Sequence, residues 1–166
     1  MATQTASSAL HPTKNTLDPG IRQAVADLLN ARLADAIDLQ LQSKQAHWNV
    51  KGPNFIGLHE LFDQVAEAVQ KYVDELAERA VMLGGVAVGT SQAVAGRTTL
   101  APYPVEAQDW SSHVECLSAA LAHFGDRIRE GIEQSETAGD PVTADLLTGI
   151  SHDVDKFTWF VEAHQA

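Results

Sequence analysis

The sequence of 166 residues is poor in cysteine, in basic residues and in long apolar runs. Its single cysteine, Cys116, excludes a disulfide within the chain, and its apolar neighbours favour a small buried side chain over a reactive thiol. No apolar run approaches the roughly 18 residues that predict a membrane-spanning helix. The first ten residues lack the positive and apolar regions of a secretory signal, so we expect a cytoplasmic protein.

Acidic residues outnumber basic ones by 22 to 11, which gives a formal net charge of -11. This balance argues against a basic nucleic-acid-binding surface on the folded body and favours solubility or the attraction of cations. The 45% hydrophobic content is typical of a folded protein, and the length suits one domain. Residues 1–17 are rich in Thr, Ser and Ala and predict a flexible tail, which leaves 18–166 as the domain.

Apolar residues recur at helical spacing in four segments, without the alternation of β-strands. Asp18 and Pro19 are suited to the start of the first helix, and Gly84-Gly85 to the end of the second. The periodic positions run from Ile21 to Trp48, from Phe55 to Leu83, from Trp110 to Ile132 and from Val142 to Phe160.

The connections between these helices are short, long and short in turn. Residues 86–108 form the long connection and leave room for one short helix. A short link makes neighbouring helices antiparallel, whereas a long crossover lets the third helix start from the far end of the bundle. The pattern predicts an all-α, ferritin-like four-helix bundle with a long crossover between the second and third helices.

Five residues on the first two helices form a candidate metal site: His47, His59, Asp63, Asp74 and Glu78. His59 and Asp63 are four residues apart, as are Asp74 and Glu78, so each pair shares a helical face. His47 precedes Pro53 by six residues and His59 follows it by six, so a helix hairpin there would place both at the same height.

The two carboxylate-bearing pairs cannot meet within one chain, because their midpoints lie about 22 Å apart along the second helix. Two copies of that helix packed antiparallel about a two-fold axis would bring the His59/Asp63 end of one copy to the Asp74/Glu78 end of the other. Imidazole and carboxylate ligands suit iron, zinc or manganese, and spacing does not choose among these metals.

An ordinary solvated helix face is the alternative interpretation of these residues, with His47 at a helix end acting on the helix dipole. The chain also lacks any Glu-x-x-His motif, which excludes the usual di-iron centre inside one bundle. Glu60, Glu67 and Glu75 lie on other faces and are expected to be exposed. The remaining histidines of the domain are interpreted as structural or surface residues: His113, His123, His152 and His164.

Five stretches resemble the Dps family, the DNA-binding proteins from starved cells or miniferritins, over roughly residues 18–164. They are Lys44 to Val50 followed by Gly52 to Phe62, then Asp74 to Gly85, and Thr143 to Leu147 with Asp155 to Phe160. The resemblance implies ferroxidase ligands at His47, His59 and Asp63 of one subunit and at Asp74 and Glu78 of its two-fold mate. It also implies a hollow dodecamer that oxidises ferrous iron with hydrogen peroxide or oxygen, stores the ferric mineral and protects against oxidative stress.

Some family features remain open in this chain. Acidic residues near the start of the last helix line the family's iron-entry pore; Asp145 fits this role best, and Glu136 and Asp140 less well, while Pro141 occupies one pore position. Trp48 could quench a stray radical or simply pack against the bundle end. A DNA-compacting protein with secondary iron chemistry is the main rival function. The tail argues against it, because Lys14 is the only Lys or Arg before Ile21. An interaction scaffold is the third hypothesis.

Overall fold

The computed structural model describes residues 9–107 and 109–165, and this part of the chain is all helical, with no strand. Four long helices and one short helix follow in order, and the predicted all-α bundle with its long crossover is confirmed. No helix in the described part is long and apolar enough to cross a membrane. The helices are α1 (Pro19–Asn49), α2 (Phe55–Met82), α3 (Ser91–Arg97), α4 (Trp110–Ala138) and α5 (Pro141–Glu162), followed by a 3-10 turn (Ala163–Gln165).

Aspartate side chains begin three of the long helices. Asp18 accepts a hydrogen bond from the Gly20 amide at 2.7 Å, and Pro19 occupies the first helical position, as expected from the sequence. Asp109 caps α4 in the same way, accepting from the Ser112 amide at 2.9 Å. Each cap satisfies a backbone amide that has no partner within the helix, and so fixes where the helix starts.

The core lies between two antiparallel pairs, α1 with α2 and α4 with α5. Large apolar side chains from all four long helices meet there with almost no exposed surface, and each such side chain stabilises the fold by about 1.5–3 kcal/mol. The largest of them are Phe62, Phe124, Leu29, Leu33, Leu39, Leu58, Leu76, Leu117, Leu121, Ile128 and Leu147.

Buried polar residues of α1 hold the crossover between α2 and α4 in place. Asn30 donates to the Val86 carbonyl at 2.9 Å and accepts from the Val88 amide at 2.8 Å. Asp35 is fully buried, accepts from the Thr99 amide at 2.7 Å, and pairs with Arg32 at 3.1 Å. These bonds satisfy backbone groups along a long connection that would otherwise be left without partners.

The segment before α1 lies against the end of α2. The His11 amide donates to the Gly84 carbonyl at 2.6 Å, and Leu17 packs against the core. Gly84 has φ +87, and a Cβ there would lie 2.7 Å from the His11 carbonyl oxygen, so this close approach requires glycine. Residues 9–17 therefore contact the folded domain, whereas the sequence predicted a flexible tail over residues 1–17. Positions 1–8 lie outside the described residues.

Candidate metal centre

The link between α1 and α2 brings His47 and His59 together. Gly52 has φ +114 and Asn54 has φ 59, so the chain reverses through two left-handed residues on either side of Pro53. The two imidazole rings stack with their centroids 3.8 Å apart and their planes at 23°. The equal height predicted from their spacing about Pro53 is confirmed.

Two reciprocal hydrogen bonds orient this histidine pair and place a proton on each Nδ1. His47 Nδ1 lies 2.7 Å from the His59 carbonyl oxygen, and His59 Nδ1 lies 2.8 Å from the His47 carbonyl oxygen. A carbonyl oxygen only accepts, so each Nδ1 carries the proton and donates it. In the neutral ring the lone pair is then on Nε2, and this is the arrangement in which a histidine binds a metal through Nε2 while a second partner orients it.

Asp63 lies one helical turn after His59 and is paired with a lysine of α1. The Lys44 Nζ lies 2.5 Å from Asp63 Oδ1, and both side chains are about one-third exposed. The hydrogen bond from Lys44 holds the pKa of Asp63 below its ordinary value, and the nearby imidazoles of His47 and His59 add to this effect. Asp63 is therefore a carboxylate at neutral pH, with a cation already in place.

Asp74 and Glu78 are exposed near the other end of α2, about 22 Å along the helix from the His59/Asp63 pair. In the part of the chain that the structure describes, no three His, Cys, Asp or Glu side chains lie close enough together to hold a metal ion. One subunit thus presents two separate groups of potential ligands, one at each end of α2.

Exposed apolar side chains flank both groups. Ile56 and Val81 are 60% and 55% exposed, and they share a helical face with Asp63 and Asp74 to within about 20°. Trp48 is 65% exposed beside His47, so the interpretation that it packs against the bundle end of its own chain is wrong. An apolar surface of this kind, next to polar groups, is typical of a face that binds another protein.

Comparisons with known proteins place this chain in a family. The Ferritin-like domain model matches residues 26–166. A DNA protection during starvation protein of Agrobacterium fabrum is 45% identical over 154 residues, which is 93% of this chain and 95% of that protein. The chain belongs to the Dps family of ferritin-like proteins.

Solved Dps structures have the same fold. Dps of Mycobacterium smegmatis superposes with a TM-score of 0.88 at 39% identity, covering 93% of this chain and 87% of that one. DpsC from Streptomyces coelicolor gives a TM-score of 0.92 at 29% identity, covering 98% and 96% of the two chains. The family resemblance seen in the sequence motifs is confirmed.

One predicted pore residue of this Dps chain has a different role. Asp140 is buried, accepts from Arg79 Nη2 at 2.9 Å through both carboxylate oxygens, and caps α5 through Thr143. Burial alone would raise the pKa of Asp140, but the hydrogen bonds from Thr143 and Arg79 outweigh it and lower the pKa. Its carboxylate therefore cannot line a pore, and that interpretation is wrong. Asp145 and Glu136 are exposed.

The remaining histidines have no group of carboxylates around them in the described residues. His113 is buried and hydrogen-bonds the Tyr103 hydroxyl at 2.6 Å, and burial lowers its pKa. His123 lies 2.9 Å from the Thr99 hydroxyl, His152 is exposed, and His164 donates to the Phe160 carbonyl. The exposure predicted for the three other glutamates of α2 is confirmed at Glu60, Glu67 and Glu75.

Cys116 is half-buried rather than fully buried as expected from its neighbours. It lines a cavity of about 400 Å³ between α4 and the end of the crossover, together with Tyr103 and His123. Burial raises the pKa of the Cys116 thiol, and the neighbouring Glu115 and Asp109 add to this effect. The thiol is therefore protonated at neutral pH, and the preference for an unreactive cysteine still holds.

Proposed function

We propose that this protein is a ferroxidase and iron-storage cage of the cytoplasm. It oxidises ferrous iron, with hydrogen peroxide or oxygen, at sites between subunits, and it keeps the ferric mineral inside a hollow dodecamer. The observation that carries this proposal is the stacked histidine pair: each Nδ1 donates to a backbone carbonyl, which leaves both Nε2 atoms available as metal ligands one helical turn from the carboxylate of Asp63.

The ligand positions on α2 are compatible with one common two-fold axis for the two groups of ligands. The midpoint of His59 and Glu78 falls between residues 68 and 69, and so does the midpoint of Asp63 and Asp74. Two α2 helices packed antiparallel about that point place His59 opposite Glu78 of the partner subunit. They also place Asp63 opposite Asp74 of the partner subunit, twice in each dimer.

Exposed apolar residues of α2 are also placed symmetrically about this point. The midpoint of Ile56 and Val81 falls at the same place on α2, and so does that of Phe55 and Met82. All four side chains are at least 41% exposed in the single chain, and burial of such residues drives association. In the dimer each ligand group would be bordered by an apolar contact, which limits the access of bulk water to the site.

Carboxylate and imidazole ligands suit the oxidation of ferrous iron. Carboxylates are hard oxygen donors that favour the ferric product, and imidazoles complete the set. Two ferrous ions at one site reduce hydrogen peroxide by two electrons: with two protons, they give two ferric ions and two water molecules. No hydroxyl radical leaves the site. We further propose that exposed Asp145 and Glu136 attract ferrous iron to the entry pore. We also propose that Trp48 quenches any stray radical by donating an electron to it.

Substitution of the distal carboxylates tests the proposal. Asp74→Ala and Glu78→Ala should each abolish rapid ferrous oxidation, because each removes a ligand from every site. Glu75→Ala removes a neighbouring exposed carboxylate and should keep the wild-type rate. The rate is followed by ferric absorbance and the fold by circular dichroism. Wild-type rates in Asp74→Ala and Glu78→Ala would exclude the intersubunit site.

A further inference from the structure

The cavity that Cys116 lines, between α4 and the end of the crossover, is also bordered by α1 through Gln42. None of the five proposed metal ligands borders it. Its volume of about 400 Å³ lies within the range of ligand pockets, roughly 300–1,000 Å³, so it is large enough for a small molecule. Prolines and alanines of the crossover and α4 form an apolar wall, together with the ring of Tyr103.

Gln42 brings an unpaired acceptor to this cavity. Its side chain is 5% exposed, and its Nε2 donates to the Ala101 carbonyl at 3.1 Å and to Asp38 Oδ1 at 3.3 Å. A carbonyl oxygen only accepts, so the amide nitrogen must face Ala101 and the amide cannot be flipped. Oε1 is therefore the free end of the amide, and no donor among the described residues reaches it. A buried amide oxygen without a partner is costly, and a ligand that donates to it would remove this cost.

Two other polar groups of the cavity are already engaged within the protein. The Tyr103 hydroxyl lies 2.6 Å from His113 Nδ1. The Thr99 hydroxyl donates to Asp35 Oδ1 at 3.0 Å, so it accepts from His123 Nε2 at 2.9 Å. In the neutral ring of His123, Nδ1 is then an acceptor as well. Neither pair offers a strong donor to a ligand.

Glu115 adds a negative charge at the same cavity. It is exposed, its Oε2 accepts from Gln165 Nε2 at 2.7 Å, and no residue in the described ranges donates to its Oε1. The lining found among the described residues includes no Lys or Arg that could balance this charge. The face of the Tyr103 ring also attracts cations. The cavity thus combines unpaired acceptors, a negative charge and an apolar wall, which together complement a cation that has N–H donors and an apolar body.

We propose that this cavity binds a small organic ammonium ion, that is, a protonated amine with an aliphatic or aromatic body. The ammonium donates to Gln42 Oε1 and is balanced by the charge of Glu115, and the body packs against the apolar wall. An anion of the same size would be repelled by Glu115. A bare metal ion would leave the apolar wall unfilled, and no three His, Cys, Asp or Glu side chains of the described residues are placed to hold one. The site is independent of the proposed iron chemistry.

The single cysteine of the chain reports whether the cavity is occupied, because Cys116 lines it and is half-buried. In the assembled full-length protein, methyl methanethiosulfonate modifies this thiol, and mass spectrometry follows the rate at constant pH. The probe, benzylammonium chloride, should slow the reaction saturably, by about threefold when two-thirds of the cavities are filled. Sodium benzoate and sodium chloride at equal ionic strength should not slow it. No protection by benzylammonium, as expected of a cavity that holds only water, would overturn the proposal, and equal protection by benzoate would overturn the choice of a cation.

Matched variants then locate the probe by calorimetric titration. Glu115→Gln should weaken benzylammonium binding at least about threefold, the size expected for one partly exposed charge pair. Glu133→Gln is the control, because Glu133 is exposed on the same helix, does not border the cavity, and its substitution changes the net charge equally. Equal weakening in both variants would show attraction to the acidic protein as a whole and would overturn the site.

A second pair of variants fills the cavity without a change of charge. Ala119 is exposed at the cavity, so Ala119→Phe should place a ring in it and abolish benzylammonium binding. Ala122→Phe adds the same ring at an exposed position of α4 outside the cavity and should bind as wild type does. Binding that survives Ala119→Phe would overturn the assignment of the ligand to this cavity.

Discussion

Complementation between two inactive variants measures directly how the ligands are divided between subunits. Asp74→Ala lacks a distal ligand and keeps its histidines, whereas His59→Ala lacks a histidine and keeps its distal carboxylates. In a mixed dimer, one site takes His59 from the first chain and Asp74 from the second, and is complete. The other site lacks both residues.

The expected fraction of active sites follows from the two-fold symmetry of the dimer. With equal amounts of the two chains and random pairing, half of the dimers are mixed, and each mixed dimer has one complete site of two. About one quarter of all sites should therefore be active, where each variant alone has none. The chains are co-expressed with different tags, and assemblies that carry both tags are purified before the ferrous oxidation rate is measured.

Asp74→Ala mixed with Glu78→Ala is the control. Both chains then carry a defect in the same group of ligands, so every site in a mixed dimer lacks one carboxylate and the mixture should stay inactive. Recovery in this control, or no recovery with Asp74→Ala and His59→Ala in assemblies that contain both chains, would refute a site shared between subunits.

The remaining predictions concern stability, assembly and DNA. Asp140→Ala should lower the free energy of unfolding by about 3–5 kcal/mol at pH 7, because it removes a buried carboxylate and leaves the largely buried Arg79 side chain without its ionic partner. The exposed cap variant Asp109→Ala should lose less. Because folding lowers the pKa of Asp140, its contribution to the free energy of unfolding is complete above the unfolded pKa near 4 and disappears as the pH falls through the folded pKa. Urea unfolding at fixed protein concentration measures both effects. Equal losses for the two variants at pH 7 would contradict a stabilising ion pair between Asp140 and Arg79. Light scattering at neutral pH and moderate salt should give about 210 kDa, twelve chains that together carry a charge of about -130, and a mass of only one or two chains would refute the cage. A gel shift at pH 7.5 and physiological salt should show no retarded plasmid, since Lys14 is the only Lys or Arg before Ile21 and the chain carries a net charge of -11. Salt-resistant retardation would reveal a basic surface.

The sequence predicts the helices and the histidine pair well because both depend on local periodicity. Apolar spacing sets which face of each helix is buried, and the equal distances of His47 and His59 from Pro53 set their common height once the hairpin forms. The contact between Lys44 and Asp63 is harder to predict from sequence, because it depends on how α1 and α2 are rotated relative to each other.

Buried polar contacts between distant residues could not be predicted. Asn30 and Asp35 resemble solvent-facing residues of a helix, and their partners lie 56 and 64 positions away in the crossover. Asp140 resembles a pore residue by its charge and position, but Arg79 is 61 positions away and makes it a buried cap. The docking of the segment before α1 depends on a backbone bond from His11 to Gly84, which has no side-chain signature.

Anomalous X-ray scattering at the iron edge, from crystals of the assembled protein soaked in ferrous iron without oxidant, would locate the metal between the subunits. We expect iron between His47, His59 and Asp63 of one subunit and Asp74 and Glu78 of its two-fold mate. Iron bound within a single subunit, or no iron at this interface although wild-type protein oxidises ferrous iron in solution, would refute the intersubunit site.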